Sequence, residues 1–271
     1  MKPGINQWAF PGDMSAIECI SVAKRIGFAA FEVCIGDKGP TRLDATEGDI
    51  RAIRKHADSQ GIALHSVASG MGWQYPLSAT DLGVRQKAKE LIARGLEIAS
   101  WLGADSLLVV PGVVDNRTSY DVALENALSG VRELVPIAER LKVTLAIENV
   151  WNKFLLSPTE MRDFIDQCES EYVGAYVDVG NMIPYGFPEQ WIRILGKRVR
   201  AVHMKDFRSS VGTMGGFVML MEGDVNWPAV MAALREIGYD KSLTAEYGAY
   251  TYSREAMLAH VLTSLQTILR L

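Results

Sequence analysis

The chain has 271 residues, 48% hydrophobic and 22% charged, with a formal net charge of −4. That length is close to the usual size of one (β/α)8 barrel, and the mild negative charge gives no electrostatic footprint for nucleic acid. No apolar run approaches the roughly 20 residues of a membrane span, and the opening MKPGINQWAFPGDM lacks the apolar stretch of a secretory leader.

Strand and helix patterns alternate eight times along the chain. Short apolar runs of the kind buried on both faces of a parallel sheet predict strands at 3–9, 29–35, 62–68, 106–112, 143–149, 173–179, 199–205 and 242–248. Between them, apolar residues recur at three- and four-residue steps. Val84, Ala88, Leu91, Ile92, Ile98, Ala99 and Leu102 make one such face. Met257, Val261, Leu262, Leu265, Ile268 and Leu269 make the last, with Ser253 as its N-cap. Gly27, Gly61, Gly103 and Gly238 stand where helices close, as left-handed C′ residues do. Pro136 predicts a kink in the fourth helix. No Pro/Ser/Gly linker divides the chain, so residues 1–271 read as one domain. Eight units favour closure into a (β/α)8 TIM barrel. A doubly wound sheet is the alternative, and no G-x-G-x-x-G follows the first strand to favour its dinucleotide-binding form. Cys19, Cys34 and Cys168 are widely spaced and odd in number, which predicts reduced thiols in a cytoplasmic protein.

Four of the predicted strands end on a metal-competent side chain: Glu148 in TLAIENVWN, Asp178 in AYVDVGN, His203 in RAVHMKD and Glu246 in LTAEYG. Tens of residues separate them, so only a fold that gathers strand ends could make them a site. The C-terminal mouth of a parallel barrel does this. Three carboxylates and one imidazole suit one divalent ion of intermediate hardness, Mn²⁺ first, with Mg²⁺, Co²⁺ or Zn²⁺ as alternatives. Lys205 shares the face of His203 by the period of two along a strand. It either neutralises an anion there or pairs with Asp206. Glu32, an acid inside an apolar strand, either orients the pocket or accepts from backbone donors. Residues 205–227 make a long connection, read as a lid, a phosphate-contacting loop or a plain hairpin.

AIEN, YVDVGN, VHMKD and TAEYG resemble the strand-end motifs of the sugar phosphate isomerase/epimerase family, which has a xylose isomerase-like barrel. The DVGN and HMKD pair is similar to ketopentulose-phosphate 3-epimerases and hexulose-phosphate isomerase-like proteins. The resemblance covers essentially the whole chain and is strongest from Ala146 onward. It implies a divalent-metal-dependent isomerase that acts on a ketose or ketose phosphate, removing the proton beside the carbonyl through an enediolate. It implies that Glu148 and Glu246 are ligands and also the acid/base pair, with Asp178 and His203 as ligands only. Two carboxylates on opposite faces suit epimerisation; one base on one face suits aldose–ketose isomerisation. Substrate contacts are expected from Arg208, His65, Lys205, Asn181 and Trp73, with Trp8 and Tyr75 as further walls. A small-molecule sugar or sugar phosphate is the expected partner, and a dimer or tetramer the implied assembly.

Two positions depart from the free-ketose 3-epimerases. Asn181 stands where their sixth strand carries a histidine, and Leu155 where a glutamate follows their fifth. Both departures argue against copying the free-ketose specificity and leave a phosphorylated ketose, a keto-acid sugar or a modified sugar open. A metal-dependent dehydratase on a keto-sugar or inosose is the nearest chemical rival. A non-catalytic sugar-binding barrel would not need both glutamates. An endonuclease IV-like repair enzyme would need a histidine-rich trinuclear zinc site, and this chain has four histidines in all.

Overall fold

The computed structural model describes residues 1–271 other than 40, 249 and 251. The strands are β1 (Lys2–Asn6), β2 (Ala30–Ile35), β3 (Ser66–Ser69), β4 (Ser106–Val109), β5 (Thr144–Glu148), β6 (Val173–Asp178), β7 (Val199–Met204), β8 (Asp206–Phe207), β9 (Phe217–Val218) and β10 (Ser242–Ala245). Eight of them close a parallel barrel in the order β1-β10-β7-β6-β5-β4-β3-β2. The short pair β8 and β9 forms an antiparallel hairpin outside it. Helices α1 (Ala16–Ile26), α2 (Glu47–Gln60), α3 (Leu82–Leu102), α4 (Tyr120–Leu141), α5 (Pro158–Asp166), α6 (Pro188–Leu195), α7 (Trp227–Glu236) and α8 (Arg254–Ile268) follow the barrel strands in turn.

Local chemistry sets the helix ends. Ser15 and Glu18 form a reciprocal capping box on α1, and Thr46 and Asp49 form one on α2. Ser253 accepts from the Ala256 amide and starts α8. Gly27, Gly61 and Gly103 close α1, α2 and α3 with positive φ, a conformation that costs a residue without Cβ little. The fourth helix runs on through Pro136 as one element to Leu141. No helix among the described residues is long and apolar enough to cross a membrane.

Several strands have other bounds than expected: the fourth stops at Val109 and the last at Ala245, each three residues short. The first stops at Asn6, because the Asn6 side chain accepts from the Trp8 amide and turns Gln7–Ala9 into a 3-10 helix. The third begins only at Ser66; residues 62–65 make an isolated bridge between Ala63 and Ala30.

Two apolar layers result. The larger packs the outer faces of the strands against the helices and includes Trp191, Phe28, Phe31 and Phe164. The inner one is small: Cys34, Ala68, Leu108, Val110, Ala146, Tyr176 and Ala201. Branched apolar residues usually fill a barrel interior in layers. Here alanines and a cysteine leave space on the axis for buried polar groups. Trp191 is 2% exposed, so Trp191→Ala should lower the unfolding free energy by about 3–5 kcal/mol. A urea-denaturation midpoint shifted to match would check it, and an unchanged midpoint would contradict the packing.

Candidate active site

The four strand-end residues converge. Glu148 closes β5, Asp178 closes β6, His203 is the fifth residue of β7, and Glu246 directly follows β10. One ligand atom from each lies within 4.8 Å of all the others. Asp178 and His203 are register partners in adjacent parallel strands, so both point into the barrel. Glu148 and Glu246 sit three strands apart around the ring and face each other across the mouth.

The sequence around each residue explains its aim. One Asp178 oxygen, Oδ1, accepts from the amides of Gly180 and Asn181, each at 2.9 Å. This local turn leaves Oδ2 facing the axis. The Asn149 side chain bonds both the amide and the carbonyl of Asp178, at 2.8 Å each, and fixes the end of β6. A Cβ on Gly180 would stand 2.6 Å from the Lys205 Cβ, so only glycine lets the two segments meet. Lys205 points inward, as the period of two predicts, and its Nζ lies 3.0 Å from both Asp178 Oδ2 and Glu246 Oε2. It does not pair with Asp206, which is fully buried and accepts from amides of the segment that follows β9.

Glu32 is the hidden member of the site. It is 1% exposed and accepts from Asn6 Nδ2, Ser66 Oγ, the Tyr176 hydroxyl and His203 Nε2, the last at 2.7 Å. Burial disfavours its charge, but His203 and the hydroxyl donors outweigh that and hold its carboxyl below the usual range. An ionised Glu32 places the ring proton on Nε2 and leaves Nδ1 for the mouth. His203 Nδ1 and Asp178 Oδ2 are buried and make no hydrogen bond, although Glu246 and Lys205 stand within ion-pair distance of them. Two orphaned buried atoms aimed at one centre, with two carboxylates beside them, fit a divalent cation by donor type and burial.

The surroundings push the two facing glutamates in opposite directions. Burial pushes Glu148 up to about 7, with His203 opposing the rise and Glu246 adding to it. Burial acts the same way on Glu246, but His203 and Lys205 outweigh it and hold it down to about 2. Pairs of carboxyls pushed apart in this way can divide acid and base roles.

A cavity of about 740 Å³ opens above these groups. Glu148, Glu246, Lys205, Asn181, Trp8 and Trp73 line it, as the sequence led us to expect. Three expected contacts lie elsewhere. His65 precedes β3 because that strand starts one residue later, and its charged neighbours Asp105, Lys241 and Lys2 mark the N-terminal end of the barrel, opposite the mouth. Arg208 is exposed on the hairpin and donates to the Glu222 carbonyl instead of lining the cavity. Tyr75 faces a separate pocket beside α3. Sequence reasoning missed Trp151, Phe217, Met214 and Tyr247 as further cavity walls. It also missed Tyr176, which the period of two along AYVDV could have placed inside the barrel beside Asp178.

Comparison with known proteins places this geometry. The profile of the xylose isomerase-like TIM barrel family matches residues 20–268. The L-ribulose-5-phosphate 3-epimerase UlaE of Salmonella paratyphi C is 24% identical over 239 residues, covering 87% of this chain and 83% of that protein. The D-psicose 3-epimerase of Clostridium cellulolyticum H10, solved with D-tagatose, superposes with a TM-score of 0.80 at 20% identity, over 100% of this chain and 98% of that one. The IOLI protein, solved with a zinc atom, superposes with a TM-score of 0.83 at 17% identity, over 99% and 98%.

Two outcomes follow from the site. Glu32→Gln should weaken divalent-metal affinity about 10–100-fold while the fold stays intact, as loss of a histidine's orienting partner does; titration calorimetry with circular dichroism would check both. Protons compete with metal at Glu148 up to about pH 7. Apparent affinity should therefore fall from about pH 8 to about pH 6, with proton release on binding rising over that range. A pH-independent affinity there would remove Glu148 from the ligand set.

Proposed function

The chain belongs to the xylose isomerase-like TIM barrel family, and on that premise we propose that it is an isomerase: a divalent-metal-dependent 3-epimerase of a keto-sugar, with Glu148 and Glu246 as its acid/base pair. The observation that carries this reading is the placement of the two glutamates. They face each other across the arc made by Asp178 and His203, at the floor of a sugar-sized cavity. A ketose held between them presents opposite faces of the carbon beside its carbonyl. One glutamate removes the proton from that carbon and the other returns a proton to the far face, so the centre inverts. A single base could not reach both faces.

Glu148, Asp178, His203 and Glu246 would hold the cation, which we take to be Mn²⁺ from the three carboxylates and one imidazole. When bound there, a divalent cation supplies Lewis-acid polarisation of the carbonyl and charge for the developing enediolate. The protein's own groups do the rest. Glu32 orients His203, and Lys205 keeps an ammonium beside Glu246. Trp8, Trp73 and Trp151 wall the cavity and exclude water from the sugar ring. The names of the relatives, L-ribulose-5-phosphate 3-epimerase and D-psicose 3-epimerase, agree with this chemistry. Three buried cysteines, none of them in a disulfide, agree with a cytoplasmic setting. We take the working assembly to be a dimer or tetramer.

The test is exchange in D₂O with the Mn²⁺-loaded protein and a panel of ketoses and ketose phosphates, read as C–H loss by NMR. Deuterium should enter at C3 with the inverted sugar as product. Glu148→Gln and Glu246→Gln should each reduce that exchange by about 10²–10⁴-fold, whereas His203→Ala should act mainly through metal affinity. Full exchange in both glutamine variants would sink the two-carboxylate assignment.

A further inference from the structure

Resting on the epimerase reading above, we propose that this site takes an uncharged keto-sugar and discriminates against the phosphate ester of the same sugar. Three independent features point this way. The first is the shortage of cations. Among the described residues lining the cavity, Lys205 is the one side chain with a positive charge, and it is already shared between Asp178 and Glu246 at 3.0 Å each. Arg208, the nearest guanidinium along the chain, is bonded to the Glu222 carbonyl out on the hairpin. Four buried or half-buried carboxylates, Glu32, Glu148, Asp178 and Glu246, outweigh Lys205 and a divalent cation together. The loaded site is therefore still net negative. A phosphate group would add about −1.5 to −2 charges, with no guanidinium or free ammonium to meet it.

The second feature is an anion already built into the place where barrels commonly bind phosphate. Late βα loops supply backbone N–H groups for that purpose. In this chain the loop after β7 is wrapped around its own carboxylate. Asp206 accepts from the amides of Phe207 and Met221 at 2.9 Å each, from Val225 at 3.2 Å and from Trp227 Nε1 at 3.3 Å. A Cβ at Gly223 would fall 2.2 Å from Asp206 Oδ1, so the loop closes on this carboxylate only with glycine there. The Ser209 amide is likewise taken, by Asp224 at 2.7 Å. The described amides that close on Asp206 and Asp224 are thereby spent inside the protein.

The third feature is positive. Beyond the ligand end, the walls are rings and aliphatic carbon: Trp8, Trp73, Trp151, Phe217, Tyr247 and Val150. Such walls suit the C–H faces of a neutral sugar. Desolvating a phosphate among them would go uncompensated.

The experiment pairs each sugar with its ester. The intrinsic fluorescence of the wall tryptophans in the Mn²⁺-loaded protein is titrated with L-ribulose and L-ribulose 5-phosphate, then with D-psicose and D-psicose 6-phosphate. C3 exchange is followed on the same samples. We expect the free sugars to bind at least about tenfold more tightly than their esters, and Val150→Arg, which adds a cation to the wall, to narrow that ratio. An ester that binds as tightly as its sugar, or more tightly, overturns the inference, as does failure of both free sugars to bind. Free sugars that bind more tightly than their esters but exchange no proton would support it, while refuting the epimerase reading on which it was built.

Discussion

A carboxylate with almost no access to water holds the interior of this barrel together. Glu32, on β2, accepts from Asn6 on β1, Ser66 on β3, Tyr176 on β6 and His203 on β7. Burying a charge on the axis costs several kcal/mol unless its lone pairs are met, and here donors from four other strands meet them. The small inner residues Cys34, Ala68, Ala146 and Ala201 make room for the network. Its consequence at the mouth is a choice of tautomer. With Nε2 committed to Glu32, the other ring nitrogen of His203 is left for the acids around it. The geometry of Glu148, Asp178 and Glu246 has meaning only against that fixed ring.

The acids are gathered on one side of the mouth. The four acid and imidazole groups occupy one continuous arc, β5 through β10, while Trp8, Trp73, Leu108 and Val110 rise from the opposite arc, β1 through β4. Further rings, Trp151, Phe217 and Tyr247, rise from the acid arc itself and complete the wall. Within the acid arc, the backbone amide of Asn181 supports Asp178 and its carbonyl accepts from Trp151 Nε1 at 2.7 Å. That one residue joins the carboxylate floor to the aromatic wall. By the resemblance, Asn181 stands where the free-ketose enzymes carry a histidine.

Much of this was readable in the chain. The eightfold alternation, the glycine stops and the polar residue at each late strand end follow from periodicity and short-range sterics, which the sequence carries locally. The four convergent residues were legible because an apolar strand that ends on an acid is locally anomalous. What was not legible depends on tertiary register. His65 and Glu148 sit in similar apolar runs, yet one leads its strand and the other ends it; a one-residue shift in where pairing begins decides the face. Arg208 was expected as a sugar contact from the family resemblance, but it is exposed on the hairpin. Glu32 was visible as an odd acid, and its four partners were not, since they come from distant strands. Asp206 read as a partner for Lys205 and instead organises a loop, because the amides that claim it arrive from 15 to 19 residues further on.

The Glu32–His203 bond spans 171 residues of chain. Every metal-competent acid of the mouth, and the histidine itself, lies in the second half of the sequence, while the acid that orients the histidine lies near its beginning. The two halves of this barrel are therefore not interchangeable modules in heredity. A chimera that joined the second half to a foreign first half could inherit all four candidate ligands intact and still lose the ring orientation that aims His203 Nδ1 at the other three. Lineages that reshuffle half-barrels would have to carry an acid at position 32 along with the histidine, as a single inherited trait written at two ends of the gene.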